Sequence, residues 1–166
     1  VVTMLRTGEV VTEVLTGDTG LFAQAAQNTF FIDSSTIDVN TARTLSAQAV
    51  AAGMAMVDAP VSGGVPGAEA GTLTFMVGGE DKDAIRVRPI LEAMGSSIVH
   101  VGPAGAGQAA KICNNMILGI SMIAVAEAFQ LATKLGLKAE TLYEIVSQSS
   151  GNCWALNTNH PVPGLV

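Results

Sequence analysis

The stretch Gly105-Ala-Gly-Gln-Ala-Ala-Lys-Ile-Cys-Asn-Asn115, with the apolar run behind it, decides how this chain is organised. From Val101 to Val125 nearly every residue is small or hydrophobic, and Lys111 is the only formal charge between Glu92 and Glu127. Gly107, Lys111 and Asn115 recur at i, i+4 and i+8, so a helix places them along one face. The glycine lets another backbone approach closely, and the lysine and asparagine project one turn apart. A lysine without a nearby carboxylate on such a helix either snorkels to water or is held as a functional group. Spacing alone leaves both readings open.

Working outward, 166 residues suit one domain or a domain with part of another. A hydrophobic share of 49% with 13% charged residues describes a packed core and not a disordered chain. The net charge of −6, without any run of Lys or Arg, argues against a nucleic-acid partner. Cys113 and Cys153 stand far apart without a CxxC, and His100 and His160 are isolated, so neither a disulfide framework nor a metal site is expected. The apolar segment Met116–Ala126 ends at Glu127, short of the roughly 18 residues of a spanning helix, which reads as a long buried helix and no membrane partner. The chain opens without methionine and ends at Pro161-Val-Pro-Gly-Leu-Val166, the expected look of a piece of something longer.

Toward the N-terminus, Val1–Leu5 reads as a strand, and Val10, Val11, Val14 and Leu15 as a helix closed by Gly17-Asp-Thr-Gly20. Glu9, Glu13 and Asp18 fit a solvated helix face. Thr29–Asp33 is a second strand, ending in Ser34-Ser35-Thr36. Asp38 can cap a helix that turns Ala42, Leu45, Ala49 and Val50 inward and stops at Gly53. Met54–Val57 is a third strand, followed by a Gly- and Pro-rich loop from Asp58 to Ala70. Thr72–Val77 and Ser97–Val101 are two more, separated by a helix around Asp83–Met94 that Pro89 must restart or kink. One helix then runs from Gly107 to about Leu135, and a shorter one lies near Ala139–Ser147. Alternating strands and helices predict a mostly parallel α/β sheet, and the change to helix alone predicts a domain boundary.

Gly105-Ala-Gly-Gln-Ala-Ala110 fits G-x-G-x-x-A between a strand and a helix. A dinucleotide fingerprint also needs a short crossover helix and an acid at the end of the next strand. Here the helix simply continues, so the match is a decoy. Elsewhere, Ser62, Gly63 and Gly64 form either a tight turn or a set of donors for a small carboxylate. With no Lys or Arg between Arg43 and Lys82, a phosphorylated substrate fits that loop poorly. Ser34-Ser35-Thr36 ends a strand where α/β sheets take ligands, but helix capping explains it equally well.

Five blocks in order, Thr3-Met-Leu5, Ile32-Asp-Ser-Ser-Thr-Ile-Asp38, Asp58-Ala-Pro-Val-Ser-Gly-Gly64, Gly71-Thr-Leu-Thr-Phe-Met-Val-Gly-Gly79 and Gly107–Asn115, resemble the β-hydroxyacid dehydrogenases over the whole chain. The resemblance implies an α/β fold: the second half of a Rossmann-type NAD-binding domain in residues 1–104, then the start of an all-helical domain in 105–166. It implies Lys111 as the catalytic acid/base, with Ser62, Gly63, Gly64 and Asn115 binding substrate. Leu5, Arg6 and Thr36 match cofactor-contacting positions. The implied cofactor is NAD, with NADP left open because the selecting residue lies outside these residues. The implied partner is a small hydroxy-carboxylate, expected to be 3-hydroxyisobutyrate going to methylmalonate semialdehyde in valine catabolism. Reduction of tartronate semialdehyde is the alternative, and an inactive or non-catalytic relative the rival of another class. A homo-oligomer is implied for the complete form, in the cytoplasm of a bacterium or the mitochondrial matrix of a eukaryote.

Two departures stand out. Arg6 replaces the proline usual after Met-Leu, and the strand with the G-x-G-x-x-G turn is missing, along with much of the helical domain. The 166 residues alone are therefore expected to be inactive, to bind dinucleotide poorly and to aggregate through exposed apolar surface.

Overall fold

The computed structural model describes all residues, Val1–Val166, as two compact units, Val1–Ile112 and Cys113–Val166. In chain order the first contains β1 (Val2–Thr3), α1 (Gly8–Leu15), α2 (Leu21–Gln24), β2 (Phe30–Asp33), α3 (Val39–Ala51), β3 (Ala55–Asp58), β4 (Val61–Ser62), α4 (Gly64–Glu69), β5 (Leu73–Gly78), α5 (Asp81–Glu92) and β6 (Gly95–Gly102). It ends in the opening turns of α6 (Ala106–Lys134). β1, β2 and β3 pair in parallel, so that Thr3 lies beside Asp33 and Asp33 beside Asp58. β5 then runs antiparallel to β3, meeting it at Asp58 and Gly78, and antiparallel to β4, while β6 pairs parallel with β5. The expected parallel sheet is thus present, with a reversal where β3 and β4 meet β5.

Both faces of the sheet are covered, which explains strands with no polar side. On one face, Phe31 and Met56 pack with Val11 and Leu15 of α1 and Leu45 and Ala49 of α3. On the other, their neighbours Ile32 and Val57 pack with Phe75, Val77, and Val87 and Leu91 of α5. Each large side chain so buried stabilises the fold by about 1.5–3 kcal/mol. Thr7 caps α1 through Val10 N–H, and Asp38 caps α3 through Thr41 N–H, the latter as the sequence predicts.

Four expectations need correction. Val50 is exposed, because it lies one residue past the buried stripe Ala42, Leu45, Ala49 and is turned about 100° away from it. Pro89 does not restart its helix: α5 is continuous, and the carbonyl left without a donor belongs to exposed Ile85. The Gly/Pro-rich segment from Asp58 is not all loop, since β4 pairs with Phe75 and Thr74 and α4 follows directly. Finally, α6 has 29 residues and a most apolar window with mean hydropathy 1.7, of which 17% is buried. By length and composition it could cross a membrane, so Met116–Ala126 alone is too short a segment to judge it by.

The second unit holds the rest of α6, α7 (Ala139–Ser147) and α8 (Trp154–Thr158). Gly136, with φ of 76°, ends α6 in a left-handed turn that lets Leu137 N–H reach back to the Ala132 carbonyl. Its core is small: Val125, Phe129, Ala155 and Leu156, with the His160 ring edge-on to Phe129 at 4.3 Å.

Candidate active site

At the carboxyl ends of β2 and β3 two buried carboxylates lie side by side, and each organises a different piece of chain. Asp33 accepts hydrogen bonds from Thr3 Oγ1 (2.9 Å), Ser35 Oγ (2.6 Å) and Ser35 N–H (3.2 Å). Ser35 Oγ in turn accepts from Leu5 N–H at 2.8 Å. The loops after β1 and β2 are thereby tied to each other. Asp58 accepts from Gly105 N–H at 2.7 Å through Oδ1 and from Gln108 N–H at 2.9 Å through Oδ2. Burial raises the Asp58 carboxyl above its usual range, while these two N–H bonds pull it back toward the charged form. Two of the backbone donors in the decoy G-x-G-x-x-A, the N–H groups of Gly105 and Gln108, are thus already engaged within the fold.

Close approach at this point depends on glycine. A Cβ on Gly107 would collide with the Met76 carbonyl oxygen and stand 2.8 Å from Asp58 Oδ2, so only a bare Cα lets α6 seat on β5. Gln108, wholly buried, donates Nε2–H to the Ser35 carbonyl at 2.7 Å and accepts Ile37 N–H on Oε1 at 3.1 Å. Lys111 follows one turn later. It is half-buried, makes neither ion pair nor hydrogen bond, and desolvation lowers its ammonium below the usual 10.5. An amine so placed is neutral more often at a given pH and, once protonated, yields the proton more readily, as an acid/base group must.

Among the residues singled out from sequence, Leu5 and Thr36 are joined to the base of Lys111's helix through Ser35 and Gln108. Thr36 is exposed between its two anchored neighbours, and Arg6 is exposed beside Leu5. Ser62, half-buried, ends β4, and the exposed Gly63 and Gly64 have φ of 132° and 60°, positive values that glycine enters without a Cβ penalty. No hydrogen bond links these three to Lys111. Asn115 is exposed on α6 in the second unit, with Asn114 Nδ2 at 3.4 Å from its Oδ1. Sequence reasoning passed over Asp33, Asp58 and Gln108. Their only signal was position: an acid closing each of two apolar strands and a lone amide in a stretch of small residues.

For a dinucleotide, the exposed Thr36 and Arg6 and the half-buried Leu5 follow adjacent parallel strands, in loops tied together through Ser35 and Asp33, so they fit the rim of such a site. Residues 1–102 match the family model described as the NAD binding domain of 6-phosphogluconate dehydrogenase. Residues 105–164 match that described as NAD-binding of NADP-dependent 3-hydroxyisobutyrate dehydrogenase. The chain belongs to the β-hydroxyacid dehydrogenase family. A relative from Mycobacterium tuberculosis, named probable 3-hydroxyisobutyrate dehydrogenase, is 56% identical over all of this chain and 55% of its own length. The 3-hydroxyisobutyrate dehydrogenase of Pseudomonas aeruginosa is 51% identical, again over the whole chain and 56% of its own. A solved structure of the Mycobacterium tuberculosis 3-hydroxyisobutyrate dehydrogenase with L-serine superposes with a TM-score of 0.92, covering 99% of this chain and 56% of that one. The chain therefore spans about half the length of the β-hydroxyacid dehydrogenases it matches.

Proposed function

We propose that these residues form the central part of an NAD-dependent dehydrogenase that oxidises 3-hydroxyisobutyrate to methylmalonate semialdehyde, with Lys111 as the acid/base. The observation that carries this is Lys111 itself: half-buried, unpaired and on a helix bonded at its base to the Thr36 loop. Bound NAD supplies the hydride acceptor. As the alcohol becomes an aldehyde, Lys111 Nζ takes the hydroxyl proton, and desolvation favours the neutral amine that can do so. Ser62, Gly63 and Gly64 are assigned to the substrate carboxylate, and Asn115 to orienting the substrate one helical turn beyond Lys111. Leu5, Arg6 and Thr36 are assigned to the dinucleotide.

The same reading takes residues 1–104 as the nucleotide-binding part and 105–166 as the start of a helical domain, with α6 a domain helix and not a membrane span. It extends to a homo-oligomer in a bacterial cytoplasm or a mitochondrial matrix. L-Serine, named with the structural relative, has the same 3-hydroxy-carboxylate core with an amine where 3-hydroxyisobutyrate has a methyl. It belongs in the substrate panel beside tartronate semialdehyde, and a clear preference for either would displace 3-hydroxyisobutyrate.

The deciding test uses the whole-length enzyme, meaning this chain with the flanking segments its relatives carry. Lys111→Ala should lower kcat by about 10²-fold or more, the scale of general acid–base catalysis. In the parent enzyme, oxidation should speed up with pH and level off above the Lys111 pKa, with the inflection below 10.5 because desolvation lowers it. Turnover near normal in the alanine variant would remove Lys111 from the reaction.

A further inference from the structure

Gln108 is a buried side chain whose bonds bracket one exposed residue. Its amide donates to the carbonyl of Ser35 and accepts from the N–H of Ile37, the residues on either side of Thr36. Its own backbone N–H is held by Asp58, so the side chain leaves from a fixed point. Lys111 lies three residues further along the same helix, a rise of about 4.5 Å. We infer that Gln108 is a positioning residue, fixing the Thr36 loop at a set distance from Lys111 and so aligning the dinucleotide with the proton acceptor. The inference rests on the function proposed above and adds a determinant of cofactor geometry to it.

The chemistry of the contact is selective. The Ser35 carbonyl can only accept and the Ile37 N–H can only donate, so one planar group must supply a donor and an acceptor together. A primary amide does this at every pH. An ionised carboxylate offers two acceptors, and its charge would face the Ser35 carbonyl oxygen. A thioether offers no strong partner and leaves two buried peptide groups unsatisfied. Asparagine is a methylene too short. A protonated carboxylic acid, however, has one O–H donor and one carbonyl acceptor in nearly the same place. The carboxyl group that Gln108→Glu introduces would be buried, and burial favours that neutral form.

The test measures NAD affinity by fluorescence titration, alongside kcat and thermal stability, in whole-length parent, Gln108→Met and Gln108→Glu enzymes. Gln108→Met should weaken NAD binding about tenfold or more at every pH and lower kcat, as expected when two buried hydrogen bonds are lost. Gln108→Glu should match the methionine variant near pH 9 and return to within about threefold of the parent near pH 6, as the carboxyl regains its proton. A lower melting temperature with unchanged NAD affinity and kcat would overturn the inference, because Gln108 would then only hold the fold together. So would a glutamate variant whose ratio to the parent does not change with pH. Should the methionine variant fail to fold, the pH response of the glutamate variant decides alone. A parent enzyme that binds NAD and turns over while both variants equal it sinks this inference but spares the proposed function. A parent that binds no NAD removes both.

Discussion

In the opening turns of α6, Gly107 and Gln108 are buried, and Gln108 uses its backbone N–H and both ends of its amide within the fold. From Cys113 onward the same helix leaves Met116, Ile117, Ile120 and Ile123 exposed, in a unit whose own core is only a few side chains. One helix therefore contains two kinds of information. Hydrogen bonds have direction, so the opening turns specify where Lys111 stands relative to the Thr36 loop. Apolar burial has no direction, and the later turns specify only that something apolar is favoured beside them.

If that contrast is right, small changes in the opening turns should cost far more than larger ones further along. Gly107→Ala is the sharpest break. Its added methyl meets the Met76 carbonyl, a backbone atom that cannot swing aside, and should destabilise the whole-length protein by about 3 kcal/mol in urea unfolding. A loss under half of that would mean α6 can slide on β5, and the case for a fixed Lys111 would weaken. Asp58→Ala comes next, at about 2 kcal/mol, since it uncovers the N–H groups of Gly105 and Gln108 while relieving a carboxylate of its burial cost. An unchanged urea midpoint would show that water replaces the carboxylate freely. Ile117→Ser comes last: in these 166 residues it should stay within about 0.5 kcal/mol, as for exposed substitutions generally, and a larger loss would show that Ile117 is packed within this chain.

Much of this was legible in the sequence. The continuous apolar character of Phe31-Ile32 and Met56-Val57 announced strands covered on both faces, and Asp38 announced its cap. The i, i+4 placement of Gly107 and Lys111 announced both the close approach and the isolated amine. What stayed hidden depends on contacts between distant residues. Nothing local to Asp58 says that it will hold the start of a helix 47 residues later, and nothing local to Gln108 says that it will reach Ser35, 73 residues earlier. β4 and α4 were missed for the opposite reason: Gly63, Gly64 and Pro66 look like breakers, yet a two-residue strand and a six-residue helix fit among them once Phe75 and Thr74 pair alongside.

The bracketing of Thr36 also bears on how such a site could change over generations or under redesign. Because both neighbouring peptides are pinned, the exposed Thr36 side chain can be exchanged without the loop moving, so its chemistry and its geometry are inherited separately. A lineage, or an engineer, can explore new side chains at that one position while the scaffold around it stays constant.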